Sequence, residues 1–346
     1  MKKFSLILVI LALTSLTFAD AYQDGGDRLT ALQNNDGGWD WPLDDGNPAN
    51  TSPVNTIGPI GMGLAKAYAN TGDASHLATL QAAGSLLLSK TNNFSPSDGY
   101  LAVELDNVFG GTTYSSHLMD NFYTPLANGT YDKNGAGTLF STADYVNGVR
   151  NYRSGTSANL AAWDTGMGLY AASVIGADTT YWVIGVTNEI DELDGSAYYD
   201  VIGLAGALMG LSAAGADFDP TAGEHAAATS LSDLAAILSG YQLSTGGFAW
   251  NSDYVIENDY NEAIQESAYA VLALSEFDSA TYWSNILAGA DYIQGVQLGT
   301  GGWENYAGSG ENNEITGEAL WALTTVPEPA TLALLGLGGL LLRKRK

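Results

Sequence analysis

Two kinds of apolar segment alternate along this chain. In Thr79–Lys90, Thr229–Gly240 and Ser284–Gln294, apolar residues recur every three to four positions with polar residues between them, as in helices wet on one side. In Gly58–Ala69, Ala158–Val174, Tyr198–Ala213, Ala263–Leu274 and Ile315–Leu323, nearly every side is apolar or tiny, which predicts helices buried all round. Pairing the two kinds gives outer helices near residues 24–33, 74–90, 138–152, 179–190, 224–240 and 280–296, each followed by an inner one. The second inner helix is the least distinct: it falls around Leu101–Asn121, where Gly110-Gly111 interrupts the pattern. Asp73, Asp178, Asp219 and Asp278 stand just ahead of outer segments, where a carboxylate accepts bonds from the free N–H groups of a helix start, and Pro220 suits a first turn. Six hairpins closing on themselves predict an all-α (α/α)6 toroid over residues 22–326.

A repeated phrase supports that period. Gln33–Trp39 reads QNNDGGW, Gln242–Phe248 reads QLSTGGF and Gln297–Trp303 reads QLGTGGW. The last two are 55 residues apart, and the first precedes the second by 209, about four repeat lengths. Gly61-Met-Gly-Leu64 likewise returns as Gly166-Met-Gly-Leu169, two repeats later. The phrase Q-x-x-x-G-G-aromatic resembles the QW motif of the terpenoid-cyclase and protein-prenyltransferase toroids. That resemblance implies a structural role for Gln33, Gln242, Phe248 and Gln297, with the Gln and the aromatic tying the end of an outer helix to its neighbours. The amide is expected to satisfy backbone groups at a helix terminus, under an aromatic lid.

The two ends carry addresses. Met1-Lys-Lys, the apolar Leu6–Phe18 and Ala19-Asp-Ala21 read as a secretory signal peptide over residues 1–21, cut after Ala21. Val326-Pro-Glu-Pro329, the apolar Ala330–Leu342 and the basic Arg343–Lys346 resemble the PEP-CTERM sorting signal of Gram-negative bacteria, here residues 327–346. The resemblance implies export across the inner membrane, processing by an exosortase-type protease at a region marked by Pro327, Glu328 and Pro329, and transient membrane association through the C-terminal segment. It further implies a destination at the cell envelope, surface or extracellular matrix, in hosts that make exopolysaccharide.

Charge narrows the partners. Six of the 12 basic residues lie in those termini, whereas nearly all of the 38 acids lie between them. So acidic a body repels phosphate backbones, which argues against nucleic acid, and it repels polyuronates too, which favours neutral glycans. With no cysteine there is neither a disulfide framework nor a thiolate metal site.

In a toroid the loops entering the inner helices line one mouth, so their side chains converge although distant in sequence. These loops hold Trp39, Trp41, Asp44, Asp45, Trp163, Asp164, Tyr198, Asp200, Trp250, Asp253, Glu262, Trp303, Glu304 and Glu311. Flat aromatic faces stack on pyranose C–H surfaces and carboxylates accept hydroxyl hydrogen bonds, so this composition suits a sugar-binding cleft. The reading is a non-catalytic binding module for neutral glycan, with no catalytic residue identified. The alternative is a secreted carbohydrate-active enzyme of glycoside-hydrolase type, using two of these carboxyls. A terpenoid cyclase ranks third, because the D-x-D-D string of the protonating cyclases does not occur. His76, His117 and His225 occur singly and read as surface residues. The D-x-D-x-D-G calcium spacing is not met near Asp191–Gly195. Neither metal nor cofactor is expected.

Overall fold

The computed structural model describes residues 20–41, 47–153, 159–193, 199–255 and 262–326. Asp44, Asp45, Tyr198, Pro327, Glu328 and Pro329 lie outside them.

Helices dominate. The inner ones are α2 (Ile57–Thr71), α4 (Asp98–Phe109), α8 (Asn159–Ile175), α10 (Asp200–Ala213), α12 (Ile264–Asp278) and α14 (Asn313–Leu323). Each packs on the next, and α14 returns to α2, so the ring closes. Around it stand the outer helices α1 (residues 20–31), α3 (Ala74–Ser89), α7 (Thr142–Arg153), α9 (Thr180–Glu192), α11 (Leu231–Gly240) and α13 (Trp283–Gly295). The fold is an (α/α)6 toroid. Buried side chains run continuously from Tyr22 on α1 to Leu323 on α14, forming one core.

The glycines explain how tightly the ring is drawn. A Cβ at Gly63 on α2 would meet the Gly317 carbonyl of α14 at 2.1 Å, and one at Gly166 on α8 would meet the Gly206 backbone of α10 at 2.2 Å. The inner helices therefore touch backbone to backbone, which only a hydrogen side chain permits. This accounts for the repeated Gly-Met-Gly-Leu.

Two expectations need correction. Leu101–Asn121 is not one helix: α4 stops at Phe109 because Gly110 and Gly111 take φ of 81° and 90°. An insertion follows, comprising α5 (Thr113–Leu118), a π turn at Met119–Tyr123, α6 (Thr124–Ala127) and a hairpin pairing β1 (Tyr131–Asp132) with β2 (Leu139–Phe140). The fifth outer helix starts at Leu231, later than expected; its N-cap is Ser230, whose side chain accepts from Asp233 N, and Asp219 caps nothing. Asp73 and Asp178 accept from Ser75 N and Thr180 N at the starts of α3 and α9, and Asp278 holds the turn before α13 through Ala280 N and Thr281 N.

The three copies of the phrase have one geometry. The Gln33 amide donates to Gly37 O at 2.8 Å and to Thr79 O on α3 at 2.9 Å. Gln242 donates to Gly246 O and to Asn285 O on α13, both at 2.8 Å. Gln297 donates to Gly301 O at 2.8 Å and to Ala21 O on α1 at 3.2 Å. The amide thus joins its own turn to the next outer helix, rather than capping the helix it follows. The first glycine of each pair has φ near +95°, and a Cβ there would strike that same neighbour, at Ala82 O, Ala288 O or Asp24 O. Trp39 and Trp303 are wholly buried, their indole N–H groups donating to Leu29 O and Ile293 O, both at 2.7 Å; Phe248 fills the same place.

The third copy closes the outer ring, which bears on where the expected signal peptide would be cut. Ala21 is buried and its carbonyl is the acceptor of Gln297, so a cut after Ala21 would delete a ring-closing contact. A cut before Asp20 preserves it. N-terminal sequencing of the exported protein is expected to begin at Asp20; a start at Tyr22 would show that the ring closes without that carbonyl.

Candidate functional site

The inner helices all start at one face of the ring, and a cavity of about 440 Å³ opens there. Residues before α2 and α4, the upper parts of α8, α12 and α14, and the C-terminal half of α7 form its wall. Eight aromatic side chains stand in that wall: Trp41, Phe94, Tyr100, Phe140, Tyr145, Tyr152, Trp163 and Tyr269. Trp163 stands edge-on to Tyr269 at 5.4 Å, and Tyr100 leans on Trp321 below at 5.1 Å. At the rim Tyr152 is 79% exposed and Trp41 48%.

Polar groups converge among these rings. Arg153 Nε donates to Asp164 Oδ2 at 2.7 Å, and the Arg153 guanidinium lies 5.3 Å from the centre of the Tyr152 ring. Lys133 stands 5.3 Å over Tyr145. The Trp41 indole N–H donates to Glu314 Oε2. One turn further along α14, Glu318 accepts from Tyr269 OH at 2.9 Å and from Gln265 Nε2 at 3.0 and 3.2 Å.

Burial sets the charge states. Taken out of water, the Glu314 carboxyl is pushed up to about 7; the Trp41 hydrogen bond opposes the rise and the nearby Asp164 adds to it. Glu318 is raised well above the ordinary carboxyl range by burial and by Glu314 beside it. Asp164 is also raised by burial, against the opposing pull of Arg153. The cavity therefore offers a carboxyl that carries its proton near neutral pH, next to a carboxylate tied to a guanidinium.

Of the residues expected at the mouth, Trp41, Trp163 and Asp164 line this cavity. The others do different work. Trp39 and Trp303 plug the scaffold and offer no face for stacking. Glu262 and Glu311 accept from Thr245 and Thr300 of the glycine turns at 2.6 and 2.9 Å; Glu311 also pairs with Arg28 on α1, and Glu304 accepts from Gly310 N within the hairpin that pairs Trp303–Glu304 with Glu311–Asn312. Asp200 is buried at the start of α10 and accepts from Val201 N and from Ser252 N and Oγ, so it pins the Asn251–Tyr254 turn that holds the exposed Asp253. Trp250 is half-buried beside that turn.

Reasoning from loops missed Glu314, Glu318, Tyr269, Arg153, Tyr145 and Tyr152, all of which stand on helices. A signal existed for the acids: Glu318 interrupts the apolar segment Ile315–Leu323 and Glu314 adjoins it, where an ionisable group is costly unless it is used. The histidines also depart from expectation, since His76 and His225 are buried. His76 bonds Asp27 at 3.0 Å and Thr71 at 3.2 Å, and together with Asp73 its ligating atoms cluster within 4.8 Å. Gln23 bonds both of those acids, so the cluster is a closed link between α1 and α3.

Comparison with known proteins gives an address and a fold. Residues 325–346 match the PEP-CTERM protein-sorting motif, which marks an exported, envelope-sorted protein and implies processing by exosortase, a membrane protease. No protein of curated function is detectably similar in sequence. Among solved structures, a variant of the type II terpene cyclase MstE from Scytonema, in complex with merosterolic acid A, superposes with a TM-score of 0.53 at 13% identity, covering 91% of this chain and 98% of that one. A novel alpha-amylase from Clostridium perfringens gives 0.52 at 8% identity, over 89% and 98% of the two chains. A protein from Actinoplanes gives 0.52 at 16% identity, over 89% and 99%. At these identities the likeness is one of fold.

Proposed function

We propose that the toroid is an exported module that holds a neutral glycan in the aromatic cavity at its mouth. The observation that carries this reading is the wall itself: flat rings surround a space of about 440 Å³, a size suited to a short stretch of sugar units. Its charged groups are matched internally, Arg153 to Asp164 and Lys133 to a ring face, so an uncharged ligand disturbs no ion pair. Ring faces would take the C–H surface of the sugar, while Glu314, Asp164 and the hydroxyls of Ser95 and Ser97 would meet its own hydroxyls.

Trp41→Ala and Tyr152→Ala are each expected to weaken binding of the host's exopolysaccharide roughly tenfold, the equivalent of about 1.4 kcal/mol of stacking surface. Calorimetric titration with oligosaccharides of that polymer measures it. Unchanged affinity in both variants would remove the cavity from the reading.

Hydrolysis is a second reading, favoured by the Glu314 carboxyl, which still carries its proton near neutral pH where an ordinary glutamate has lost it. Glu314 would protonate the leaving oxygen and Asp164, paired with Arg153, would activate water. Glu314→Gln would then abolish the release of reducing ends while binding persisted, and the wild-type rate would fall as pH rises through about 7. Absence of reducing ends with the wild-type protein defeats this second reading and leaves the first intact.

A further inference from the structure

The direction of the helices places the cavity and the chain ends on opposite faces. Inner helices run from the mouth to the base of the toroid, and outer helices run back. The first outer helix, α1, therefore starts at the base, and the last inner helix, α14, finishes there. The two are neighbours, since a Cβ on Gly25 of α1 would touch Leu320 of α14. After α14 the chain stays folded as far as Val326, which is buried.

Only Pro327, Glu328 and Pro329 separate Val326 from the apolar stretch Ala330–Leu342 of the sorting motif. Three residues span about 10 Å even when fully extended. Among the described residues no helix is long and apolar enough to cross a membrane. The base also carries exposed apolar side chains: Phe109 ends α4, Val174 is next to last in α8 and Tyr181 is second in α9, at 37%, 38% and 46% exposure. Such residues favour the headgroup region, but the mouth exposes Trp41, Tyr152 and Tyr306 as well, so the short tether at the base is what sets the orientation.

We infer that the unprocessed protein stands on the lipid bilayer by its base, on a tether too short to let it turn, with the cavity mouth facing away from the membrane. The partner surface is the bilayer that holds Ala330–Leu342. The mouth lies about 20 Å further out, the length of an inner helix of some 15 residues. A polymer in the aqueous space reaches the cavity while the protein is still tethered, and processing releases the base. The inference rests on the sorting motif and the helix directions, and it stands whatever the cavity binds.

The chain has no cysteine, so single probes can be placed cleanly. Val174→Cys and Tyr181→Cys put a fluorophore on the base, and Tyr306→Cys, 59% exposed in the turn between Glu304 and Glu311, puts one at the mouth. The full-length precursor is purified from cells lacking the processing protease and reconstituted in phosphatidylcholine vesicles containing a headgroup-quencher lipid. Quenching is expected at both base probes and to be absent at Tyr306→Cys. Inserting about 20 Gly/Ser residues after Val326, a coil reaching about 25 Å, is expected to abolish the base quenching. Equal quenching at all three positions, stronger quenching at the mouth, or base quenching that survives the insertion overturns the inference.

Discussion

Gly63→Val is expected to open the inner ring and to be the most damaging single substitution in the scaffold. Its first added carbon would lie 2.1 Å from the Gly317 carbonyl, an atom of helix backbone that no rotamer change can move aside. Either α14 moves away from α2 or its hydrogen-bonded turns distort. Both outcomes loosen the seam where the last inner helix meets the first, and α14 also carries Glu314 into the cavity. Destabilisation on the order of 3 kcal/mol or more is expected, read as a lower urea midpoint. Gly240→Ala is the control: it also lies in a helix, but its Cβ would meet nothing within 4 Å, so the change is expected to be neutral or slightly stabilising. Similar midpoints for Gly63→Val and the wild type would show that the ring tolerates a looser seam.

The same geometry explains what the sequence made legible. Helices buried on every side must be all apolar, and helices wet on one face must alternate, so the two patterns separate inner from outer without any knowledge of the fold. The phrase Q-x-x-x-G-G-aromatic was readable as scaffold because its parts are needed together: a positive-φ glycine, an amide reaching back to its turn, and a ring to fill the gap. Its acceptor on the next outer helix was not readable, because contacts around a ring join residues tens to hundreds of positions apart, such as Gln297 and Ala21.

The site was harder to read for a different reason. Loop aromatics and acids look alike whether they plug a scaffold or face a ligand. Trp39 and Trp41 are two residues apart, yet one is wholly buried and the other lines the cavity. Tyr145, Tyr152 and Arg153 belong to an outer helix, α7, whose periodic pattern predicts a wet face without saying that the face meets a cavity. Glu266, Glu314 and Glu318 were the strongest signal, two of them inside segments otherwise too apolar to be anything but core and Glu314 at the edge of one.

Those three acids also govern how stability responds to pH. In the unfolded chain each titrates at its ordinary value of 4.5; in the folded protein burial raises Glu314 to about 7, Glu266 to about 8 and Glu318 well above its ordinary value. Between the two values the folded state binds more protons than the unfolded one, so stability falls as pH rises, by up to roughly 1.4 kcal/mol per pH unit for each group in its window. Below 4.5 each is neutral in both states and contributes no penalty. The helix-start aspartates act in the opposite sense: hydrogen bonds from Ser75 and Gln23 pull Asp73 down to about 2, so its stabilising contribution is present above its ordinary 3.8 and is lost as pH falls towards 2. The melting temperature is therefore expected to peak in mildly acidic solution near pH 4–5, and to fall steadily towards pH 8.5. Glu266→Gln isolates one contribution, because Glu266 does not line the cavity and its Oε2 is buried without a hydrogen-bond partner. The variant is expected to flatten the decline between pH 5 and about 8 and to match or exceed the wild type at the alkaline end. Parallel melting curves for the two proteins across that range would mean that Glu266 is already ionised in the folded state and that its surroundings hold a compensating group.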